Sequence, residues 1–224
     1  MLRLAVISST NGSVMNAVLA SPYMRERLEL VISDRECGAI SVARSYGIPT
    51  VLYPTTNTMD FSNHLANYFS NNEYDLVISF YTKLFRGQVI DLLYGKFVNF
   101  HPSILPAFPG VDGFGDSVIS GSKFIGATVH LIDSGVDDGY PVLQCAFPSD
   151  PDCPIEQRRH IIFVAQCKML IQLVRWFEQK RICLDACGRP TLKDGKYRLG
   201  PFSPNLDFEN ALGFFPEHDG CGGI

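Results

Sequence analysis

Long apolar runs are missing from this chain. Stretches such as Leu76 to Phe80 fall far short of the ~20 apolar residues that span a bilayer, so no membrane partner is expected. A surplus of positive charge is missing too. Nineteen Lys and Arg stand against 23 Asp and Glu, a net charge of −4, which argues against broad binding to nucleic acid or to a membrane surface. The opening residues, Met1-Leu2-Arg3-Leu4, run straight into a strand-like segment and lack a signal-peptide layout. The seven cysteines are an odd number and are scattered. They form no two-plus-two C-x-x-C arrangement, so no metal is expected. Cys183 and Cys187, four apart, read as two free thiols near a turn. A reducing cytoplasm fits this usage. There is no G-x-G-x-x-G and no P-loop lysine, so neither dinucleotide nor ATP binding follows. Internal repeats and low-complexity tracts are also absent.

What is present is ordinary globular material. The 224 residues are 46% hydrophobic and 19% charged, enough for one large domain or one domain with an appendage. The first half alternates strands with helices. Leu4–Ile7, Leu28–Ser33, Pro49–Tyr53, Asp75–Phe80 and Phe97–Phe100 read as strands. Between them, Val14–Leu19, Ile40–Tyr46 and Asp60–Phe69 carry apolar residues at helical spacing. Such alternation predicts an α/β, Rossmann-like open sheet, mostly parallel, with flanking helices. Residues 101–122, rich in proline and glycine, read as a long shaped loop. Ala127–Ile132 and Pro141–Phe147 alternate like antiparallel strands. Ile155–Gln179 is the longest helical pattern, and the tail after Cys183 has little periodicity. The aromatics of that tail, Tyr197, Phe202, Phe208, Phe214 and Phe215, suit docking on the sheet domain or on a second subunit.

Open α/β sheets collect ligands beyond the carboxyl ends of their strands. After the first strand comes Asn11-Gly12-Ser13, either an anion-binding helix start or an ordinary turn and cap. After the fourth comes Tyr81-Thr82-Lys83-Leu84-Phe85, a wall for a flat ligand or plain helix-onset packing. After the fifth comes Asn99-Phe100-His101-Pro102. Asn99 and His101 are two apart and share a strand face, an amide and an imidazole suited to stabilising an oxyanion. Ile132 to Gly139 holds three aspartates and reads by default as a surface turn. A carboxylate brought from it to His101 would raise the imidazole's pKa.

At this point the blocks become specific. Asn99 to Pro106, Pro109-Gly110, Thr128-Val129-His130 and Asp137-Asp138-Gly139, in that order, resemble the folate-dependent formyltransferases. The resemblance covers roughly residues 1–182, which it implies are a formyltransferase catalytic domain, with 183–224 a C-terminal extension. It implies that Asn99, His101 and Asp137 are the catalytic trio and that 10-formyltetrahydrofolate is the co-substrate. It implies that Thr82, Lys83, Leu84, Phe85, Ile132, Ser134 and Gly135 surround the folate. Asn11, Gly12, Ser13 and Gln166 would face a small-molecule amine. Formyl transfer to that amine is the expected reaction, with hydrolysis of the formyl donor or folate binding without chemistry as alternatives. The assembly state stays open, a homodimer included.

Several positions depart from the family's glycinamide ribonucleotide enzymes. Val14 follows Gly12-Ser13 where they have Asn, Ala107 stands where they have Lys, and Gln166 aligns with a Glu. Lys83 takes the place of a common Arg, and Tyr140 precedes Pro141 where they run Gly-Gly-Pro. An amino sugar or a modified nucleotide is therefore expected ahead of that acceptor. The residues after Cys183 are too few and too weakly basic to match the second domain of the methionyl-tRNA members.

Overall fold

Strand β1 (Leu4–Ser8) is buried at every position, as a strand covered on both sheet faces must be. It lies inside an eight-stranded sheet in the computed structural model, which describes residues 1–207. With β2 (Leu28–Ser33), β3 (Thr50–Leu52), β4 (Leu76–Phe80) and β5 (Phe97–His101) it forms a parallel block in the order β3-β2-β1-β4-β5. Beyond β5, β6 (Phe124–Leu131) and β7 (Pro141–Pro148) continue the sheet antiparallel. A two-stranded hairpin, β8 (Ile182–Leu184) with β9 (Pro190–Leu192), stands apart. The two-residue β10 (Phe202–Ser203) closes the main sheet's edge beside β7.

Two hydrophobic cores follow from the sheet's two faces. Helices α1 (Ser13–Val18), α3 (Gly38–Ser45), α6 (Gly113–Ile119) and α7 (Ile155–Glu178) contribute to one. Helices α4 (Thr58–Asn71) and α5 (Gln88–Leu92) pack into the other. The one-turn α2 (Pro22–Arg25) links α1 to β2. Asn57 starts α4 by accepting from the backbone N–H groups of Met59 and Asp60, the usual role of a capping Asn. Gly47, at φ 70°, allows the chain to turn out of α3 where a Cβ would be strained. Helix α7 is long and apolar enough to cross a membrane by length and composition alone. It buries ten residues in the fold, among them Trp176, which is wholly inaccessible.

The α/β, mostly parallel architecture is the one expected, and five elements differ from the sequence reading. Residues 101–122 are not all loop, because α6 forms within them. Glycines at 113 and 115 weaken its propensity, but the Asp112 carboxylate caps it at the Gly115 N–H, 3.1 Å away, and Phe114 is buried in the core. Helices α2 and α5 hold only four and five residues, too short for a periodic signal. The tail after Cys183 carries β9 and β10. The division drawn between residues 182 and 183 cuts β8, and β10 belongs to the main sheet, so the described part of the tail is continuous with the sheet domain. Phe202 and Leu206 are buried there, Tyr197 is exposed, and Phe208, Phe214 and Phe215 lie outside the described residues. Cys183 and Cys187 are free, exposed thiols.

Candidate active site

Alternation along β5 places Asn99 and His101 on one face of the strand. His101 is 3% exposed. Its Nε2 lies 2.8 Å from the carbonyl oxygen of Phe108. A carbonyl only accepts, so Nε2 carries the proton and donates. Ser103 Oγ donates to the same carbonyl at 3.1 Å and to that of Ala107 at 2.7 Å. This holds Phe108 in its left-handed conformation, φ 58°. The other ring nitrogen of His101, Nδ1, faces Asp137 Oδ2 at 3.3 Å.

Asp137 reaches that position by an indirect route. Because β6 runs antiparallel to β5, its end at Leu131 lies opposite Val98, away from His101. Ile132 N–H then donates to the Phe97 carbonyl at 2.9 Å, at the start of β5. The chain must fold back to bring Asp137 to the other end. It rejoins the sheet where Leu131 N–H donates to the Tyr140 carbonyl at 3.0 Å, and a register shift between Val129 and His130 marks the place. Gly139 passes the Leu131 carbonyl so closely that a Cβ would overlap it. Asp137 itself has φ 54°, a sparsely populated conformation for a residue with a Cβ. Burial works to push its carboxyl up. The imidazole of His130, the Gly110 N–H that donates to the carboxylate and the neighbouring His101 overcome this and hold it below the ordinary carboxylate value.

His130 is a fourth member of this cluster. It pairs with Asn99 across the β5–β6 ladder, so the two side chains share a face. Its Nδ1 donates to the Leu131 carbonyl at 2.9 Å. In the neutral ring Nε2 is then an acceptor, and Asn99 Nδ2 lies 3.2 Å from it. Asp137 Oδ1 is 3.4 Å from the same nitrogen. One Asn99 N–H is thus oriented by His130 while the other remains for a ligand.

The cluster opens into a cavity of about 920 Å³. Its wall crosses the carboxyl edge of the parallel block. One arm uses residues of the α4–α5 core, Tyr81, Phe85 and Ile132; the other uses Met15, Phe114 and Ile162 of the α1–α7 core. Asn99, His101 and Asp137 line it, as do Asn11, Gly12, Ser13 and Gln166. Thr82, Lys83, Leu84, Phe85, Ile132 and Gly135 line it as well, whereas Ser134 does not. The fold therefore brings every expected site residue but Ser134 to one cavity.

Sequence comparison then speaks to the same chain. The formyl transferase family pattern matches residues 2–173. The chain belongs to the formyl transferase family. It is 35% identical over 149 residues to a phosphoribosylglycinamide formyltransferase of Mycobacterium tuberculosis (strain CDC 1551 / Oshkosh), covering 63% of this chain and 68% of that one. Glycinamide ribonucleotide transformylase 1 from Symbiobacterium toebii superposes with a TM-score of 0.76 at 29% identity, over 87% of this chain and 95% of that one. A formyltetrahydrofolate deformylase from Pseudomonas syringae shares the fold, with a TM-score of 0.75 at 19% identity, over 87% of this chain and 67% of that one. This formyl transferase is an enzyme of one-carbon transfer, with 10-formyltetrahydrofolate as its co-substrate.

Two parts of the formyl transferase site escaped the sequence reading. One is His130, which stands within a matched block but has no partner there that the linear pattern reveals. The other is Asp34, buried at the end of β2. It accepts from Lys83 Nζ at 2.8 Å, Arg35 Nε at 2.7 Å and Tyr81 OH at 3.0 Å. Between those two wall residues, Thr82 N–H donates to Ser9 Oγ at 3.2 Å. Burial works to raise the Asp34 carboxyl, but the hydrogen bonds from Arg35, Lys83 and Tyr81 hold it below the usual range. A buried carboxylate next to an apolar strand is a signal that composition does contain; its partners are separated by up to 49 residues and are not.

Proposed function

We propose that the enzyme passes the formyl group of 10-formyltetrahydrofolate to the primary amine of a small acceptor, with Asn99, His101 and Asp137 at the reacting atoms. The observation that carries this reading is the meeting of these three with His130 in one cavity open to both faces of the sheet. The arm lined by Tyr81 to Phe85, Ile132 and Gly135 suits the donor, since it combines aromatic wall with backbone amides. The arm lined by Asn11 to Ser13 and Gln166 is left for the acceptor.

The chemistry needs no covalent enzyme intermediate. The amine nitrogen bonds to the formyl carbon, the bond from that carbon to the folate nitrogen breaks, and one proton passes from the amine to the leaving nitrogen. Negative charge gathers on the formyl oxygen in between. Asn99 offers its second N–H to that oxygen, pre-oriented by His130. Protonated on both nitrogens, His101 offers Nδ1–H, beside Asp137 Oδ2 at 3.3 Å. Asp137 then accepts and returns the travelling proton.

Relatives named for phosphoribosylglycinamide make that ribonucleotide the first acceptor to test. The departures at Val14, Ala107 and Gln166 place amino sugars and modified nucleotides beside it. Its buried thiols suit a reducing cytoplasm, the compartment proposed for it. The test is turnover of 10-formyltetrahydrofolate with and without each amine. Release that requires an amine is expected; equal release in buffer alone means transfer to water and overturns the acceptor reading. Asn99→Ala and His101→Ala should each lose about 10²–10³ in rate, and wild-type turnover in either removes that residue from the mechanism.

A further inference from the structure

Two permanent cations line the cavity, Lys83 and Arg159, and they differ in what they hold. Lys83 is paired with Asp34 at 2.8 Å. Arg159, on the exposed face of α7, makes no ion pair among the described residues. Glu156, three residues earlier on the same helix, lines the cavity too but stays beyond ion-pair distance. The Arg159 guanidinium instead lies 4.4 Å over the ring of Phe114, which is buried in the α1–α7 core. A guanidinium held by its flat face keeps its in-plane N–H groups for a further partner.

The position of that partner follows from the chain. Phe114 comes directly after Gly113, which packs against the His101 ring. Arg159 therefore lines the cavity beside the segment that packs on His101, on the acceptor arm with Asn11 to Ser13 and Gln166. The neighbouring wall, Asn11 to Val14, Phe163 and Gln166, carries no charge of its own. We propose that Arg159 receives an anionic group, phosphate or carboxylate, carried by the acceptor amine. This rests on the transfer reading given above. Planar guanidinium N–H groups match both anions, and an acceptor without one would leave the cation facing only water and the ring.

The experiment has two arms on the full chain. In the first, matched pairs of amines are compared as formyl acceptors, glucosamine with glucosamine 6-phosphate and ethylamine with β-alanine. The charged member of one pair should have the higher kcat/KM. Arg159→Ala should lower that value by about tenfold to a hundredfold, the usual loss of a charge-assisted hydrogen bond, and bring it towards the neutral member. A charged preference that survives Arg159→Ala overturns the proposal. In the second arm, inorganic phosphate and malonate are titrated calorimetrically into wild type and Arg159→Ala. One of the two should bind wild type at least tenfold more tightly, and which one identifies the anion. Equal binding to both proteins, or none to wild type, overturns the proposal whether or not any amine is formylated. Anion binding that depends on Arg159 with no amine formylated overturns the transfer reading alone.

Discussion

Gly113 lies flat against the imidazole of His101, so close that a Cβ at position 113 would collide with Nε2. That nitrogen donates to the Phe108 carbonyl and sets the direction of the whole ring. Gly113→Ala should therefore displace His101 more than it harms the fold. The expected result is a fall in kcat of tenfold or more, since a misplacement of about 1 Å can cost about 10²-fold. Thermal melting should shift by only a few degrees. Steady-state kinetics beside a melting curve checks this, and an unchanged kcat would separate the ring's position from the rate.

His130 touches both Asn99 and Asp137, and its removal should be visible in pH dependence as well as in rate. Its imidazole, 3.4 Å from Oδ1, is part of what holds the Asp137 carboxyl below the ordinary value. Without it, Asp137 takes up a proton at higher pH. His130→Ala is expected to move the acid limb of the kcat/KM profile upward, besides lowering the plateau. A limb that stays in place, with only the plateau reduced, would confine His130 to orienting Asn99.

Asp34 ties Tyr81 and Lys83 to the end of β2, and its carboxyl is held low in the folded protein. Folded below unfolded, such a group stabilises fully above the unfolded pKa of ~3.9 and loses its effect as pH falls through the folded value. Asp34→Asn should cost about 1–3 kcal/mol at pH 7, the lower part of this range applying because Lys83 and Arg35 can turn towards water. Its stability should fall less steeply than that of wild type below about pH 4. Denaturant midpoints at pH 7 and pH 3 read both effects. The KM for the formyl donor should rise as the wall loosens, and equal pH dependence in the two proteins would remove Asp34 from the acid response.

Asp207 anchors the tail on α7. Its carboxylate accepts from Trp176 Nε1 at 2.9 Å, Gln172 Nε2 at 3.1 Å and Arg181 Nη1 at 2.6 Å. Both Trp176 and Gln172 are inaccessible to solvent, so removing their acceptor strands buried donors. Asp207→Ala should cost about 2–3 kcal/mol, or about 4–12 °C in Tm for a domain of this size, with kcat retained. An unchanged Tm would show that the tail is not held through this carboxylate.

Much of this fold was legible because its strands are apolar throughout and its longer helices show a 3.6-residue period. Val77 and Ile78 in β4 could be placed without knowing their partners. The segments that went unread were those whose order comes from neighbours. Helix α6 depends on the Asp112 cap and on Phe114 finding the core. Strand β10 has only two residues and exists because β7 offers it a free edge. Ser134 was carried into the expected site with its loop, and the fold leaves it off the cavity wall.

The linear chain by itself determined the parallel α/β block and the pairing of Asn99 with His101, because both are consequences of local periodicity: alternation along a strand needs no tertiary information. Only the tertiary structure decided that Asp137 reaches His101. Strand β6 ends at the far end of β5, and the loop after it must recross the sheet, a route set by the antiparallel register and by the Gly110 N–H that donates to the carboxylate at 2.8 Å. The same holds for His130 over Asn99, for Arg159 over Phe114 and for Asp34 under Lys83. Each joins groups far apart in the chain, whose meeting depends on how the layers pack and not on any spacing the residues themselves carry.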